Sequence, residues 1–293
     1  GGLFDGVGGF IFIRFAGVFF HSHLVNVFYA LVIFLAAFFV GLVCLKKFSF
    51  ASGALLEEKN FSEGIYLAVA LGLGIIAIAV FILGSAGIMF FSGGIILKAV
   101  VYILAIAGIL NARNLYLERS LQPVVSHAVK KSEPFSFYEK IIALLIFSAA
   151  FVNLLGALTP ETFYDSQYYQ MGVLSRWLSE GKIIPDNYIP ASFMPFNVNM
   201  LYMLAMFLSG GNPISAKIVH YICGILILIA VYSVGKKYFS RFAGLMSAAV
   251  FYTVPLVMMV SWKTAVELGI GIFEFAAVVC LLKSVDVPPI EES

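Results

Sequence analysis

Residues 159–199 read TPETFYDSQYYQMGVLSRWLSEGKIIPDNYIPASFMPFNVN and separate two groups of apolar segments. The stretch is rich in Tyr and Pro and lacks the Lys and Arg excess of other polar segments. It concentrates charged side chains in a short span: Glu161, Asp165, Arg176, Glu180, Lys182 and Asp186. Because long apolar segments flank it on both sides, we expect the chemistry of the protein to be built here.

The composition around this stretch is that of a membrane protein. Of the 293 residues, 61% are hydrophobic and 12% are charged, and the mean hydropathy is +1.00. A soluble domain carries roughly 25% charged residues, so this chain has too few to cover a water-facing surface. Several apolar runs reach about 20 residues, the length that crosses the bilayer core. We therefore predict an all-α, polytopic transmembrane helical bundle, and nothing in the sequence indicates nucleic-acid binding.

Seven segments are predicted to span the membrane, while residues 3–20 could either span it or lie at its interface. The predicted spans are 24–45, 64–83, 95–110, 141–158, 214–234, 242–260 and 268–282. The segment 111–140 is rich in Lys and Arg, which marks it as cytoplasmic under the positive-inside rule. The span 141–158 then delivers Thr159 to the outer side.

The apolar segment 198–208 decides on which side the later residues lie. It is only about 11 residues long, which is short for a crossing. The basic cluster Lys236, Lys237 and Arg241 follows the next full span and is expected inside. Both observations predict that 198–208 does not cross and is interfacial or re-entrant. Trp262, Lys263 and Glu267 then lie on the same outer side as Asp165.

The sequence suggests two regions. Residues 1–140 are expected to form N-terminal accessory transmembrane helices with a cytoplasmic basic loop, and residues 141–293 a core that contains the large outer loop 159–199. The chain begins GGLFDG and ends PPIEES directly after an apolar helix, and we expect it to be a piece of a longer protein. The expected location is a prokaryotic plasma membrane.

The first half of the outer loop is predicted to be an amphipathic helix lying on the membrane. Apolar residues recur at spacings of three and four, and Gly181 fits the left-handed position that ends a helix. The predicted apolar face comprises Tyr164, Tyr168, Met171, Leu174 and Leu178. The adjacent face comprises Asp165, Tyr169, Gly172 and Arg176.

Two carboxylates are the candidate catalytic residues. Asp165 could deprotonate an acceptor hydroxyl or amine, or ligate a divalent cation that bridges a phosphate. The alternative is that Asp165 only caps the helix that starts beside it. Glu267 lies near the outer end of a span, where an ionisable group suggests function but could equally pair with Lys263. Glu274 lies deeper in the same span and must find a partner or be protonated.

Two cations are candidate phosphate ligands. Arg176 and Lys263 could each offset the charge of a diphosphate, although Arg176 could instead contact lipid headgroups. The histidines and the three cysteines show no metal-binding or disulfide spacing. Dinucleotide-binding, P-loop and zinc-protease motifs are absent from the sequence.

A series of short motifs between about Ile141 and Lys283 resembles the GT-C superfamily of glycosyltransferases, in particular the uncharacterised prokaryotic branch akin to protein O-mannosyltransferases and aminoarabinose transferases. The motifs are Leu158-Thr159-Pro160, Tyr164-Asp165-Ser166, Tyr168-Tyr169, Gly181-Lys182-Ile183, Pro195, Met200-Leu201-Tyr202, Ala216-Lys217-Ile218-Val219-His220 and Lys236-Lys237-Tyr238-Phe239. The chain departs from the pattern of this branch at Gln170, where members often have His, at Asn199, where they have an acidic residue, and at Glu267, where they have Asp.

The resemblance implies a membrane enzyme that moves a sugar from a polyprenyl-phosphate donor to an outer-side acceptor. It places the catalytic acid at Asp165 and a second acid at Glu267, and the candidate substrate-binding residues are Arg176, Lys263, Tyr169 and Gln170. A divalent metal could assist at Asp165. Two alternatives stay open, namely a lipid or solute transporter or flippase, and a non-catalytic membrane scaffold that keeps the fold.

Overall fold

The computed structural model describes residues 4–48, 61–121, 134–185 and 187–285, and within these ranges the protein is helical without β-strands. The ten α-helices are α1 Phe4–Phe48, α2 Phe61–Ser85, α3 Ile95–Leu121, α4 Phe137–Ala157, α5 Gly172–Glu180, α6 Asn197–Leu208, α7 Pro213–Tyr238, α8 Arg241–Thr253, α9 Pro255–Ser261 and α10 Glu267–Ser284. Short 3-10 turns occupy Phe91–Gly94 and Pro190–Phe193, and a π-helical turn occupies Ser166–Met171.

Five of these helices are long and apolar enough to cross a membrane. They contain the segments His23–Lys47, Ser62–Ser85, Ile95–Glu118, Phe137–Ala157 and Pro213–Tyr238. All five correspond to predicted spans, so the prediction of a multi-pass helical membrane protein is confirmed at this level. Residues 4–20, whose role the sequence left open, continue into the first span as part of α1.

The predicted span 242–260 is not one straight helix. It is divided into α8 and α9, which are bent by 68° at Val254. The cause is Pro255, which has no backbone N–H to continue the hydrogen bonding and restricts the residue before it to an extended conformation. Val254 accordingly has φ −58° and ψ 126°.

Contacts between distant segments define the two ends of the bundle. At one end, which we call the loop end, the N–H of Ile183 donates to the carbonyl of Gly84 at 3.0 Å, so the last turn of α2 meets the segment 159–196. At the opposite, basic end, Glu63 pairs with Lys237 and Lys283 at 3.0 and 3.1 Å. The predicted grouping of the basic cluster away from Asp165 is therefore present in the structure.

At the basic end, Arg241 of α8 also binds Glu139 of α4. Its Nε and Nη2 atoms donate to the two carboxylate oxygens of Glu139 at 2.7 and 2.9 Å. Glu139 also completes a capping box with Ser136 at the start of α4. The arrangement ties the first turn of α4 to the first turn of α8.

Small residues allow α1 and α2 to pack in direct backbone contact. A Cβ atom on Gly41 would lie 1.7 Å from the Ala68 carbonyl oxygen, and one on Gly72 would lie 1.8 Å from that of Ala37. The four residues form an Ala-x-x-x-Gly pair on each helix, the small-residue pattern by which membrane helices approach closely.

Helix α6 lies inside the bundle, and all its residues from Val198 to Leu208 are buried. Its twelve residues extend about 18 Å at 1.5 Å per residue. Near its start Asn199 contacts Gln170, and near its end the ring of Phe207 lies against Gly94 and Phe90. Both ends therefore face loop-end residues, which agrees with the prediction that 198–208 does not cross.

One continuous hydrophobic core joins the two predicted regions. Buried side chains of α1 and α2 belong to the same cluster as those of α6, α7 and α10. The division at residue 140 therefore stays a prediction from sequence. The predicted basic loop 111–140 begins as the last turns of α3 and includes residues 122–133, which lie outside the described ranges.

Candidate functional site at the loop end

The loop end is organised by Glu161, which joins the chain segments on either side of the bundle. One carboxylate oxygen accepts the backbone N–H groups of Thr162 and Phe163, both at 3.0 Å. The other accepts the N–H of Thr264 at 2.8 Å and its hydroxyl at 3.3 Å. Hydrogen bonds to an ionised acceptor are stronger than neutral ones, so Glu161 fixes residues 159–163 against the connection between α9 and α10.

Lys217 of α7 binds the end of α4, where the outer loop begins. Its side chain is 2% exposed, and its ammonium donates to the carbonyl oxygens of Gly156 at 3.1 Å and Thr159 at 2.7 Å. The last carbonyls of a helix have no intrahelical partner and carry partial negative charge. Lys217 therefore caps the end of α4 and fixes the direction in which the outer loop leaves it.

Asp165 lies in the first helical turn after Glu161, whose contact with Thr264 we call the Thr264 joint. It is half-buried, and its side chain makes no capping hydrogen bond. Within the described residues it has no hydrogen-bond or ion-pair partner. Asp165 therefore does not cap the helix that starts beside it. Glu161 instead accepts the N–H groups of Thr162 and Phe163, which precede that helix.

A π-helical turn follows Asp165 and brings Ser166 and Met171 together against Thr264. The hydroxyl of Ser166 donates to the Thr264 carbonyl at 2.8 Å, and the Met171 sulfur lies 3.3 Å from the Thr264 hydroxyl oxygen. Residues five apart lie about 140° apart around an α-helix, whereas the i→i+5 bonding of a π turn places them on one side. The π turn is therefore matched to this contact.

The same turn changes the predicted amphipathic face. Met171 and Leu174 are buried against the bundle, whereas Tyr164 and Tyr168 are 71% and 40% exposed and stack on each other with centroids 5.5 Å apart. The π turn therefore places the two tyrosines off the face that α5 buries in the protein, and the apolar face lying on the membrane stays a prediction. The predicted end is confirmed, since Gly181 has φ +71°.

Glu267 and Lys263 lie on the other side of the Thr264 joint. Glu267 is the first residue of α10, is exposed, and accepts the N–H of Val266 at 3.0 Å. The ammonium of Lys263 lies 3.6 Å from the centre of the Phe163 ring, a cation–π contact. Asp165 is one residue from Ser166 and Glu267 is three from Thr264, so the joint brings both carboxylates to one end of the molecule.

A buried hydrogen-bonded pair holds the segment that leads to Glu267. The Tyr202 hydroxyl on α6 donates to the Ala265 carbonyl and lies 2.5 Å from Nδ1 of His220 on α7. Since the tyrosine proton is committed to Ala265, Nδ1 of His220 is the donor of the second bond. Both side chains are 0% exposed, so the pair fixes residues 262–267 from inside the bundle.

The remaining predicted binding residues are not all open to a ligand. Gln170 is 6% exposed and its amide oxygen accepts from Asn199. Tyr169 is half-buried beside the core. Arg176 is exposed on α5 and pairs with Glu180 at 2.8 Å, one helical turn away. Their roles in substrate binding stay predictions.

Three residues hold the site together although the sequence does not single them out. Glu161 was noted only as one of several charges, and Lys217 and His220 only as parts of motifs. A buried Lys or His in a predicted span is a signal for an interior partner, but the sequence does not say which carbonyl it meets. Within the described residues there is no group of three His, Cys, Asp or Glu side chains placed to bind a metal.

We compared the chain with protein-family models, curated sequences and solved structures. No protein-family model matches the chain, and neither a curated protein sequence nor a solved structure is significantly similar to it.

Proposed function

We propose that the chain contains part of a membrane glycosyltransferase that takes a sugar from a polyprenyl-phosphate donor and transfers it to an acceptor at the loop end. The proposal rests on the resemblance to GT-C enzymes. The structural observation that supports it is Asp165, a half-buried carboxylate without a partner in the described residues, beside the joint that leads to Lys263 and Glu267. In this proposal the loop end faces the outside of a prokaryotic plasma membrane.

Asp165 is the general base in this reaction. It takes the proton from the acceptor hydroxyl or amine as that atom forms a bond to the anomeric carbon of the sugar. The bond from the anomeric carbon to the phosphate oxygen breaks on the opposite face, and polyprenyl phosphate leaves with the electron pair. The configuration of the sugar is therefore inverted. Lys263 or Arg176 offsets the phosphate charge, and Glu267 assists as a second carboxylate. A divalent cation, if bound, would be held by Asp165 and would supply that charge instead.

The substitution Asp165→Asn tests the proposal in an active membrane preparation. A general base contributes typically 10²–10⁴-fold to a rate, so we expect transfer to fall at least about 100-fold. Glu118→Gln removes an exposed carboxylate far along α3 and is the matched control, with transfer expected to stay at the wild-type rate. Undiminished transfer by the Asp165→Asn protein would contradict the assignment.

One observation favours a transporter as the second candidate. Broken helices and ionisable residues within spans are features of transporter binding sites, and the chain has both in the bend between α8 and α9 and in Glu274. The two candidates differ in a vesicle assay. Counterflow of a lipid or solute that survives Asp165→Asn but is lost in Glu274→Gln would favour the transporter.

A non-catalytic scaffold is supported by one contact. Gln170 and Asn199, the two neutral residues at positions that are often titratable in the GT-C branch, hydrogen-bond to each other in the interior. A scaffold predicts that Asp165→Asn leaves cell function intact while disruption of the fold does not.

A further inference from the structure

An apolar groove runs along the side of the bundle between α7, α9 and α10. It has a volume of about 450 Å³, and its walls are mainly aliphatic and aromatic: Val231, Val257, Val260, Leu268, Gly271 and Phe275. Two carboxylates, Glu267 and Glu274, also line it. They are seven residues apart on α10, which is two helical turns, and therefore lie on the same face of the helix.

Glu274 lies near the middle of α10, the helix that contains the predicted span 268–282. It is seven residues from Glu267 at the loop end and nine residues from Lys283, which pairs with Glu63 at the basic end. At 1.5 Å per residue these separations are about 10 Å and about 14 Å. Glu274 is exposed, and it has no hydrogen bond or ion pair within the described residues. The groove lining includes no Lys or Arg.

An unpaired carboxylate at this depth is costly. Ionisable side chains within membrane spans are rare and usually pair with one another or with backbone carbonyls. The cost falls when a cation lies beside it, because the pair is neutral and each group satisfies the other's hydrogen bonds. The groove therefore favours an occupant that is apolar along its length and carries one positive charge near its middle.

The depth of Glu274 in the predicted span determines which kind of molecule can place a positive charge beside it. The headgroup of a lipid stays at the surface of a hydrocarbon core that is about 30 Å thick, so its amine can approach Glu267 but not Glu274. A transmembrane helix can carry Lys or Arg at any depth, and polar side chains join helices within membranes. We propose that the groove between α7, α9 and α10 docks a transmembrane helix of a partner, with a Lys or Arg of that helix paired to Glu274.

The docking proposal does not depend on the proposed enzymatic activity. It concerns the lateral surface of the bundle rather than the Asp165 region. It also assigns different roles to the two carboxylates of the groove, because a basic residue in the middle of the partner helix meets Glu274 and one near its outer end meets Glu267. This difference in depth gives the test its controls.

The test measures energy transfer between the fluorescently labelled protein and acceptor-labelled 22-residue Leu-Ala helical peptides in phosphatidylcholine vesicles. One peptide carries a single Lys at its middle, a second carries Lys seven residues closer to its outer end, and a third carries Leu at both positions. We expect the middle-Lys peptide to associate at least tenfold more strongly than the Leu peptide. Glu274→Gln should remove that advantage, and Glu267→Gln should leave it unchanged.

The outer-Lys peptide should show the reverse dependence, with its association reduced by Glu267→Gln and not by Glu274→Gln. Equal association of the Leu and middle-Lys peptides with the wild-type protein would overturn the proposal, since it would mean that a lipid or an uncharged helix fills the groove equally well. So would full retention of middle-Lys binding by Glu274→Gln. The peptide comparison uses labelled protein of wild-type sequence and therefore does not depend on the folding of any variant.

Discussion

The carboxylate of Glu161 accepts the backbone N–H of Thr264 at 2.8 Å, although the two residues are separated by 103 positions in the chain. This bond joins the start of the large loop to the connection between α9 and α10. Ser166 and Met171 contact the same threonine. Because Asp165 and Glu267 flank these contacts, their relative position depends on Glu161.

Glu161→Gln should loosen the joint without unfolding the protein. An amide has one acceptor oxygen where the carboxylate has two, and its NH₂ group cannot accept the Thr264 N–H. A charge-assisted hydrogen bond contributes roughly 1.5–3 kcal/mol net, so we expect hydrogen exchange at the Thr264 amide to accelerate at least about tenfold. Glu180→Gln, an exposed acid on α5, is the control. Unchanged exchange at Thr264 in Glu161→Gln would contradict the role given to this carboxylate.

Lys217→Met should destabilise the junction between α4 and the loop. The substitution keeps the length of the side chain but removes the donor for the Thr159 carbonyl, and a buried polar group left unsatisfied costs about 1–3 kcal/mol. We expect a loss of this size in the free energy of unfolding, measured by denaturant titration in detergent micelles. An unfolding free energy equal to that of the wild type would show that Lys217 does not cap α4.

Arg241→Ala and Arg176→Ala should differ in their effect on stability. Arg241 makes two hydrogen bonds to Glu139, whose side chain is only 6% exposed, and we expect a loss of roughly 1–3 kcal/mol because a nearly buried carboxylate loses its partner. The pair of Arg176 with Glu180 is exposed, so its loss should cost at most about 0.5 kcal/mol. Thermal unfolding in detergent measures both, and equal losses would contradict the contrast.

Gly72→Val should separate α1 from α2. Its β-carbon would lie 1.8 Å from the Ala37 carbonyl oxygen, and this contact is to backbone that cannot move without shifting the helix. We expect a loss of several kcal/mol, of the size that overpacking produces. Gly93→Ala is a control at a glycine with open space around the β-carbon, although its φ of +67° adds strain. If Gly72→Val were as stable as Gly93→Ala, the direct backbone contact of α1 and α2 would be excluded.

Five of the seven predicted spans correspond to helices that are long and apolar enough to cross a membrane, and their signal in the sequence is local. An apolar run of about 20 residues and a cluster of Lys and Arg are both visible without knowledge of tertiary contacts. The length of the apolar segment and the basic cluster Lys236, Lys237 and Arg241 also led to the prediction that 198–208 does not cross. The bend at Val254 had a local signal in Pro255 that the span prediction did not use.

The candidate site was predictable only in part, because its geometry depends on contacts between distant residues. Nothing near Glu161 in the sequence indicates Thr264 as its partner. The π turn also arises from a tertiary contact, since it brings Ser166 and Met171 to the same threonine. A pattern of three and four therefore grouped Tyr164 and Tyr168 with Met171 and Leu174, whereas in the structure only Met171 and Leu174 are buried in the bundle.

We expect the Asp165 loop and the start of α7 to lie on one side of the membrane, opposite the basic cluster. Single cysteines at Tyr188, Pro213 and Lys236, in a background without Cys44, Cys223 and Cys280, can be labelled with a membrane-impermeant maleimide in intact cells. Positions 188 and 213 should react from outside, while position 236 should react only after the membrane is opened. Labelling of position 213 together with 236, and not with 188, would contradict it, because α6 would then cross and separate Asp165 from Glu267.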